Sequence, residues 1–171
     1  MTASKSNDQN SGQVTWTSPS NIALVKYWGK HGIQLPRNPS LSFTLKNALT
    51  ETTVRYQKLE KESGKTVSLD FLFEGKTNPQ FGEKIAVFLA GIIDHFPWLS
   101  DYHFQIESRN SFPHSTGIAS SASAMSVLAM CLCSIENELT GNLSNHEEFL
   151  NKASYIACLL YTSDAADELS G

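Results

Sequence analysis

The stretch Phe112-Pro113-His114-Ser115-Thr116-Gly117-Ile118-Ala119-Ser120-Ser121-Ala122-Ser123-Ala124 decides how this chain is read. It joins an alternating segment, Tyr102–Glu107, to a run from Thr116 to Glu138 that is apolar nearly all round between Ala122 and Leu132. A half-buried strand therefore feeds a helix that has to be central and covered on most sides. Gly117 lets the backbone approach a ligand closely, and Ala119, Ala122 and Ala124 keep the first turns slim. Ser115, Thr116, Ser120, Ser121 and Ser123 surround the N–H groups that a helix start leaves unpaired with further donors. Such a start attracts phosphate through its dipole and its free N–H groups. Small residues also serve a helix that merely packs tightly, with Thr116 as an ordinary N-cap. Spacing does not separate the two readings.

Working outward, residues 1–13 are polar and without periodicity and are expected to form a disordered arm. Val14–Thr17 and Ile22–Tyr27 read as strands broken by a turn at Ser18-Pro19-Ser20-Asn21. Gly29–Ser40, with two glycines and two prolines, reads as mostly loop. Leu41–Leu45, Thr52–Leu59 and Val67–Phe73 read as further strands, with Lys61–Lys65 and Glu74-Gly75-Lys76 as turns. From Phe81 the period changes: Ile85, Phe88, Leu89, Ile92, Ile93 and Phe96 define an amphipathic helix ending before Pro97. Ser144 with Glu147 three residues on marks the start of a last helix over Ser144–Ala157. Strands followed by helices, with one strand returning between two helices, predict an α+β fold rather than a doubly wound one.

Composition narrows the function. The chain has 171 residues, 40% of them hydrophobic and 18% charged, which fits one globular domain. Thirteen Lys+Arg against seventeen Asp+Glu give a net charge of −4, so there is no global field for nucleic acid. The apolar runs Ile85–Ile93 and Ala122–Leu132 are too short to span a bilayer, and Met1–Gln13 has no apolar signal core. Three cysteines suit a reducing compartment better than a disulfide framework. The expectation is a soluble, cytoplasmic protein with neither nucleic-acid nor membrane partners.

A second stretch, Ser18-Pro-Ser-Asn-Ile-Ala-Leu-Val-Lys-Tyr-Trp-Gly-Lys-His-Gly-Ile-Gln-Leu-Pro-Arg-Asn-Pro-Ser-Leu-Ser-Phe-Thr-Leu45, also carries chemistry. A strand runs into Lys26, Tyr27, Trp28, Gly29 and Lys30, so two ammonium groups and a phenol emerge at one strand end. Lysine meets phosphate as a point charge, and tyrosine orients a phosphate or carboxylate oxygen. The plainer alternative is a solvated strand end with Trp28 in the core. Other candidates read as structural. Gly64-Lys65-Thr66 and Gly75-Lys76-Thr77 lack the upstream glycine of a P-loop, where Leu59 and Asp70 stand instead. No GxGxxG occurs, which removes support for a dinucleotide fold. His146-Glu147-Glu148 lacks the second histidine of a zinc-protease helix, and Cys131 and Cys133 read as core. His95 and His103 read as surface or loop residues.

Together the two stretches resemble the diphosphomevalonate decarboxylase family of the GHMP kinase superfamily. The second is similar to that family's NIA-x-x-KYWGK…LP-x-N-x-S-x-S-x-TL signature, and the first to its FP-x-x-x-GLASSA phosphate loop. The resemblance runs from about Val14 to Ala157. It implies a GHMP-kinase N-terminal domain of the ribosomal protein S5 domain 2-like type, incomplete, over residues 14–157. It implies ATP-dependent decarboxylation of 5-diphosphomevalonate to isopentenyl diphosphate, with Mg²⁺, in an enzyme that is a homodimer at full length. By the same resemblance Tyr27, Trp28, Gly29 and Lys30 would bind substrate, and Gly117, Ser120 and Ser121 would bind ATP. The family's catalytic aspartate would lie beyond residue 157, leaving no catalytic residue in this fragment, which is expected to be inactive alone. The sequence departs from the family at His31-Gly32, where Arg-Asp is frequent. Within Asn78–Lys84, only Lys84 stands in for a substrate-binding arginine. Residues 158–171 also depart and read as a non-native tail. The remaining alternatives are another GHMP small-molecule kinase, such as a mevalonate or phosphomevalonate kinase, and a non-catalytic nucleotide-binding remnant. Lys26–Lys30 argues against the kinases.

Overall fold

The computed structural model describes residues 10–25, 29–31, 35–39, 41–60, 66–113, 120–142 and 145–167. Five strands form one mixed sheet in the order β1-β4-β7-β5-β6: β1 (Ser11–Val25), β4 (Leu41–Lys58), β7 (Tyr102–Asn110), β5 (Ser68–Phe73) and β6 (Lys76–Thr77). A small separate hairpin pairs β2 (Lys30–His31) with β3 (Leu35–Pro36). All neighbours in the main sheet are antiparallel except β5 and β7, which run parallel and are joined through helix α1 (Pro79–Gly91). Helices α2 (Ser120–Thr140) and α3 (His146–Asp167) complete the α+β fold.

The strands are longer than their local composition predicts. Ser18-Pro19-Ser20-Asn21 is not a turn: β1 runs through it, and β4 likewise joins the two segments expected as separate strands. The pairing absorbs the irregularity. Pro19 faces Leu49 while Ser20 faces Leu45, so Lys46, Asn47 and Ala48 bulge out of β4. Because β1 is an edge strand, Pro19 can sit there without costing a ladder hydrogen bond. Beyond the bulge the β1–β4 ribbon leaves the core, with Leu24, Val25, Leu41 and Phe43 exposed.

The core lies between one face of the sheet and the helices. Val54, Tyr56, Phe104 and Ile106 of the sheet share one buried cluster with Leu128, Leu132 and Ile135 of α2, and the Phe71 ring lies 5.1 Å from that of Phe81 in α1. At Gly82 a Cβ would lie 3.3 Å from the Phe71 Cβ, so glycine lets α1 settle close on β5. The helix α1 stops at Gly91, short of the expected end. Residues 92–95 turn instead, and Pro97–Asp101 forms a 3-10 turn, with Ile92 and Phe96 still buried. The last helix is capped by Asn145, whose Oδ1 accepts from the Glu148 N–H at 2.8 Å. The expected cap, Ser144, lies outside the described residues. This helix continues to Asp167, past Ala157, and buries Leu160 in the core.

Candidate phosphate-binding site

Helix α2 is as central as its sequence demands. Met125, Val127, Leu128, Ala129, Cys131, Leu132, Cys133 and Ile135 are all buried. Apolar packing of this kind tolerates sliding, and hydrogen bonds fix the helix along its axis. Thr50 Oγ1 lies 2.7 Å from Ser123 Oγ, Trp16 Nε1 donates to Ser134 Oγ at 2.7 Å, and Tyr56 OH donates to Glu138 Oε2 at 2.8 Å. The spacing is self-consistent. From Thr50 to Tyr56 a strand advances about 20 Å, and from Ser123 to Glu138 a helix advances about 22 Å. Helix α2 therefore runs alongside β4 in the same direction.

This places the start of α2 at the end of the domain where β1 leaves the sheet. Ser120 is its first residue and half-buried, Ser121 is exposed, and no acidic side chain stands in its first turn to repel an anion. Gly117 and the rest of 114–119 lie outside the described residues. In the first turn Ser123 meets the Thr50 hydroxyl, and the neighbouring strands bury further hydroxyls at Ser18, Ser20, Thr52 and Ser108.

The second expected site follows directly from β1. Ser20 lies two residues beyond Ser18, which pairs with Thr50, so it reaches the level of the α2 start. Five further residues carry the strand about 16 Å on, to Val25. Tyr27 and Trp28 lie outside the described residues. Gly29 has φ +82°, a left-handed conformation that favours glycine, and its carbonyl accepts from the Arg37 N–H at 3.2 Å. Lys30 opens β2 opposite Pro36, so the stretch expected to be loop contains a two-rung hairpin. Sequence reasoning gave Arg37 no role. It is exposed, its Cδ lies 3.6 Å from where a Gly29 Cβ would stand, and it adds a cation beside Gly29. The requirement for glycine at position 29 was the available signal.

Other chemistry lies elsewhere. His103 is in strand β7 rather than a loop, on the outer face of the sheet. Its Nδ1 is 2.8 Å from Ser68 Oγ and its Nε2 is 3.4 Å from Asp70 Oδ2. The Asp70 side chain is 71% exposed, so this serine–histidine–aspartate contact is a solvated pairing without a desolvated pocket around it. A groove of about 370 Å³ between α2 and α3, lined by Ala122, Met130, Leu150 and Ala153 among others, is mainly apolar and offers no cation to a phosphate. Burial pushes the thiols of Cys131 and Cys133 up to about 12, which makes them inert core groups. Among the described residues no cluster of three or more His, Cys, Asp or Glu could hold a metal, and no helix is long and apolar enough to cross a membrane.

A mixed five-strand sheet backed by a buried helix with a serine-rich start matches an N-terminal domain of the GHMP kinase type. Within that class the chain belongs to the diphosphomevalonate decarboxylase-like N-terminal domain family, whose profile matches residues 18–159. It is 33% identical over 156 residues to the diphosphomevalonate decarboxylase of Debaryomyces hansenii, covering 83% of this chain and 38% of that protein. The structure of mevalonate diphosphate decarboxylase from Staphylococcus aureus superposes with a TM-score of 0.67 at 28% identity, over 90% of this chain and 42% of that one. The enzyme from Enterococcus faecalis, in which mevalonate diphosphate mediates ATP binding, gives 0.59 at 32% identity, over 86% and 44%. The chain thus spans about two-fifths of the length of the curated relatives it matches.

Proposed function

We propose that this chain supplies the phosphate-binding half of an ATP-dependent diphosphomevalonate decarboxylase. In that reaction the tertiary hydroxyl oxygen of 5-diphosphomevalonate takes the γ-phosphoryl group of ATP. The C–O bond to the new phosphate then breaks, and the electron pair of the bond to the carboxylate carbon becomes the double bond. Isopentenyl diphosphate, CO₂, ADP and phosphate result. Reactions of this class depend on positioning and on neutralising phosphate charge, and much less on covalent chemistry by the protein.

One observation carries the reading: a helix start free of acidic side chains and the Gly29–Lys30 hairpin lie at the same end of one domain. The helix start, with Gly117, Ser120 and Ser121, would hold the ATP phosphates, its backbone N–H groups aimed at the anion. Tyr27, Trp28, Gly29 and Lys30 would hold the substrate's diphosphate and carboxylate. Mg²⁺ would offset phosphate charge. It would ride on the nucleotide, since Mg²⁺ commonly binds through substrate phosphates and keeps several waters. The unpaired cysteines fit a cytoplasmic setting.

The test is release of labelled CO₂ from carboxyl-labelled 5-diphosphomevalonate, with this domain carried in a polypeptide of its relatives' length. ATP-dependent CO₂ release supports the proposal. Phosphorylated substrate without CO₂ would instead mark a small-molecule kinase.

A further inference from the structure

We propose that Thr50 is the positioning residue of the phosphate site, holding the start of α2 at a fixed height through Ser123 and Asn110. The inference rests on the reading of that helix start as a phosphate site. Thr50 is fully buried at the end of the β4–β7 pairing, opposite Asn110, and Ser123 is buried in the first turn of α2. Three contacts link them to their surroundings: Thr50 Oγ1 to Ser123 Oγ at 2.7 Å, Thr50 Oγ1 to the Asn110 side-chain amide at 2.9 Å, and Ser123 Oγ to the Ser120 carbonyl at 3.0 Å.

Proton counting gives this chain a direction. Thr50 Oγ1 donates to Asn110 Oδ1, which leaves the Thr50 oxygen free to accept from Ser123. Ser123 then donates to Thr50 and shares its proton with the Ser120 carbonyl. The relay ends on the first residue of α2, whose free N–H groups would face the phosphate.

Packing alone would not require these groups. A hydrophobic interface as good as that of Val54 and Ile106 could continue here, yet the sheet changes to hydroxyls where α2 begins. Ser20, at the same level, is buried, and its hydroxyl has no partner among the described residues. Buried hydroxyls bring no hydrophobic gain and are costly unless bonded. They do have a directional preference that hydrocarbon lacks, and it fixes the helix along its own axis.

Thr50→Val, nearly isosteric, removes the relay, and Thr50→Ser keeps it. Tyr56→Phe removes the bond at the far end of α2 and serves as the stability control. Two readouts are needed on the intact chain: amide hydrogen exchange in the first turn of α2, and titration with a non-hydrolysable ATP analogue and Mg²⁺. Thr50→Val should speed exchange at residues 121–124 and raise the analogue's Kd about tenfold, with Thr50→Ser close to wild type. Tyr56→Phe should lower the melting temperature without moving either readout. Asn110→Asp keeps an acceptor for the Thr50 hydroxyl and should stay close to wild type, whereas Asn110→Leu should behave like Thr50→Val. Unchanged exchange and Kd in Thr50→Val, or an equal Kd change in Tyr56→Phe, overturns the inference. If the wild type fails to bind the analogue, the phosphate reading fails, while the exchange data still decide whether Thr50 holds the helix start.

Discussion

Replacing Lys152 by methionine should destabilise this domain far more than loss of a surface ion pair would. Lys152 Nζ reaches both oxygens of Glu136 at 2.6 Å, and it lies 4.6 Å from the centroid of the Phe96 ring. Glu136 projects from α2 and its side chain is only 11% exposed; Lys152 projects from α3 and is 29% exposed. At this separation the gross attraction is about 6 kcal/mol for an effective dielectric constant of about 20. Much of that is offset by desolvation, which the pair has already undergone. Removing the ammonium therefore leaves a buried carboxylate uncompensated, a change that costs about 3–5 kcal/mol when both groups are fully buried. Because Lys152 keeps some solvent contact, about 2–4 kcal/mol is expected here. In a chain of this size that lowers the melting temperature by about 5–15 °C. Thermal unfolding of Lys152→Met and of the double variant Glu136→Gln/Lys152→Met measures it. The double variant should recover at least half of the loss, because a neutral amide tolerates burial better than an unpaired charge. A single-variant loss below about 1 kcal/mol, or one that vanishes in 1 M salt, would refute the reasoning and make this an ordinary exposed pair.

The remaining predictions concern cysteine and serine. At pH 8 a disulfide reagent should find one fast thiol, Cys158, which is exposed, while Cys131 and Cys133 react only on unfolding; three fast thiols would contradict the core described. The buried thiols, raised to about 12, stay protonated when those of the unfolded chain ionise near 9, so the unfolded state binds fewer protons. Stability should thus fall as pH rises through about 9, and fall less in a Cys131→Ala/Cys133→Ala variant compared with its own value at pH 7. Ser20→Ala deletes a buried hydroxyl that has no partner among the described residues and should leave the melting temperature unchanged or higher. A clear drop would reveal a bond to that hydroxyl.

Long-period features of this fold were legible in the sequence. The all-round apolarity of Ala122–Leu132 gave a central helix, and the 3/4 spacing from Ile85 gave α1, because burial dictates both patterns. The strand breaks were misread for a physical reason. Ser18-Pro19-Ser20-Asn21 has turn composition, but an edge strand paired with a bulged neighbour keeps it extended, and neither edge position nor bulge is written locally. The helix α1 ended early because its apolar period continues into a turn and a 3-10 segment that bury Ile92 and Phe96 without helical geometry. For the site, both motifs could be read from residue type, whereas Thr50 and Asn110 could not. They meet Ser123 only through pairing of β4 with β7 and packing of α2, across 60 and 73 residues of sequence separation.

The central claim is that one end of this domain recognises a diphosphate ester beside a nucleotide phosphate site, and calorimetric titration of the chain tests it most directly. Mevalonate, its 5-phosphate and its 5-diphosphate would be titrated into the wild type and Lys30→Ala, each with and without a non-hydrolysable ATP analogue and Mg²⁺. Affinity should climb with each phosphate added to the ligand. Lys30→Ala should weaken the diphosphate by about tenfold, ~1.4 kcal/mol, and leave the ATP analogue unchanged. Equal affinity for all three ligands, or a Lys30→Ala loss confined to the nucleotide, would contradict the account.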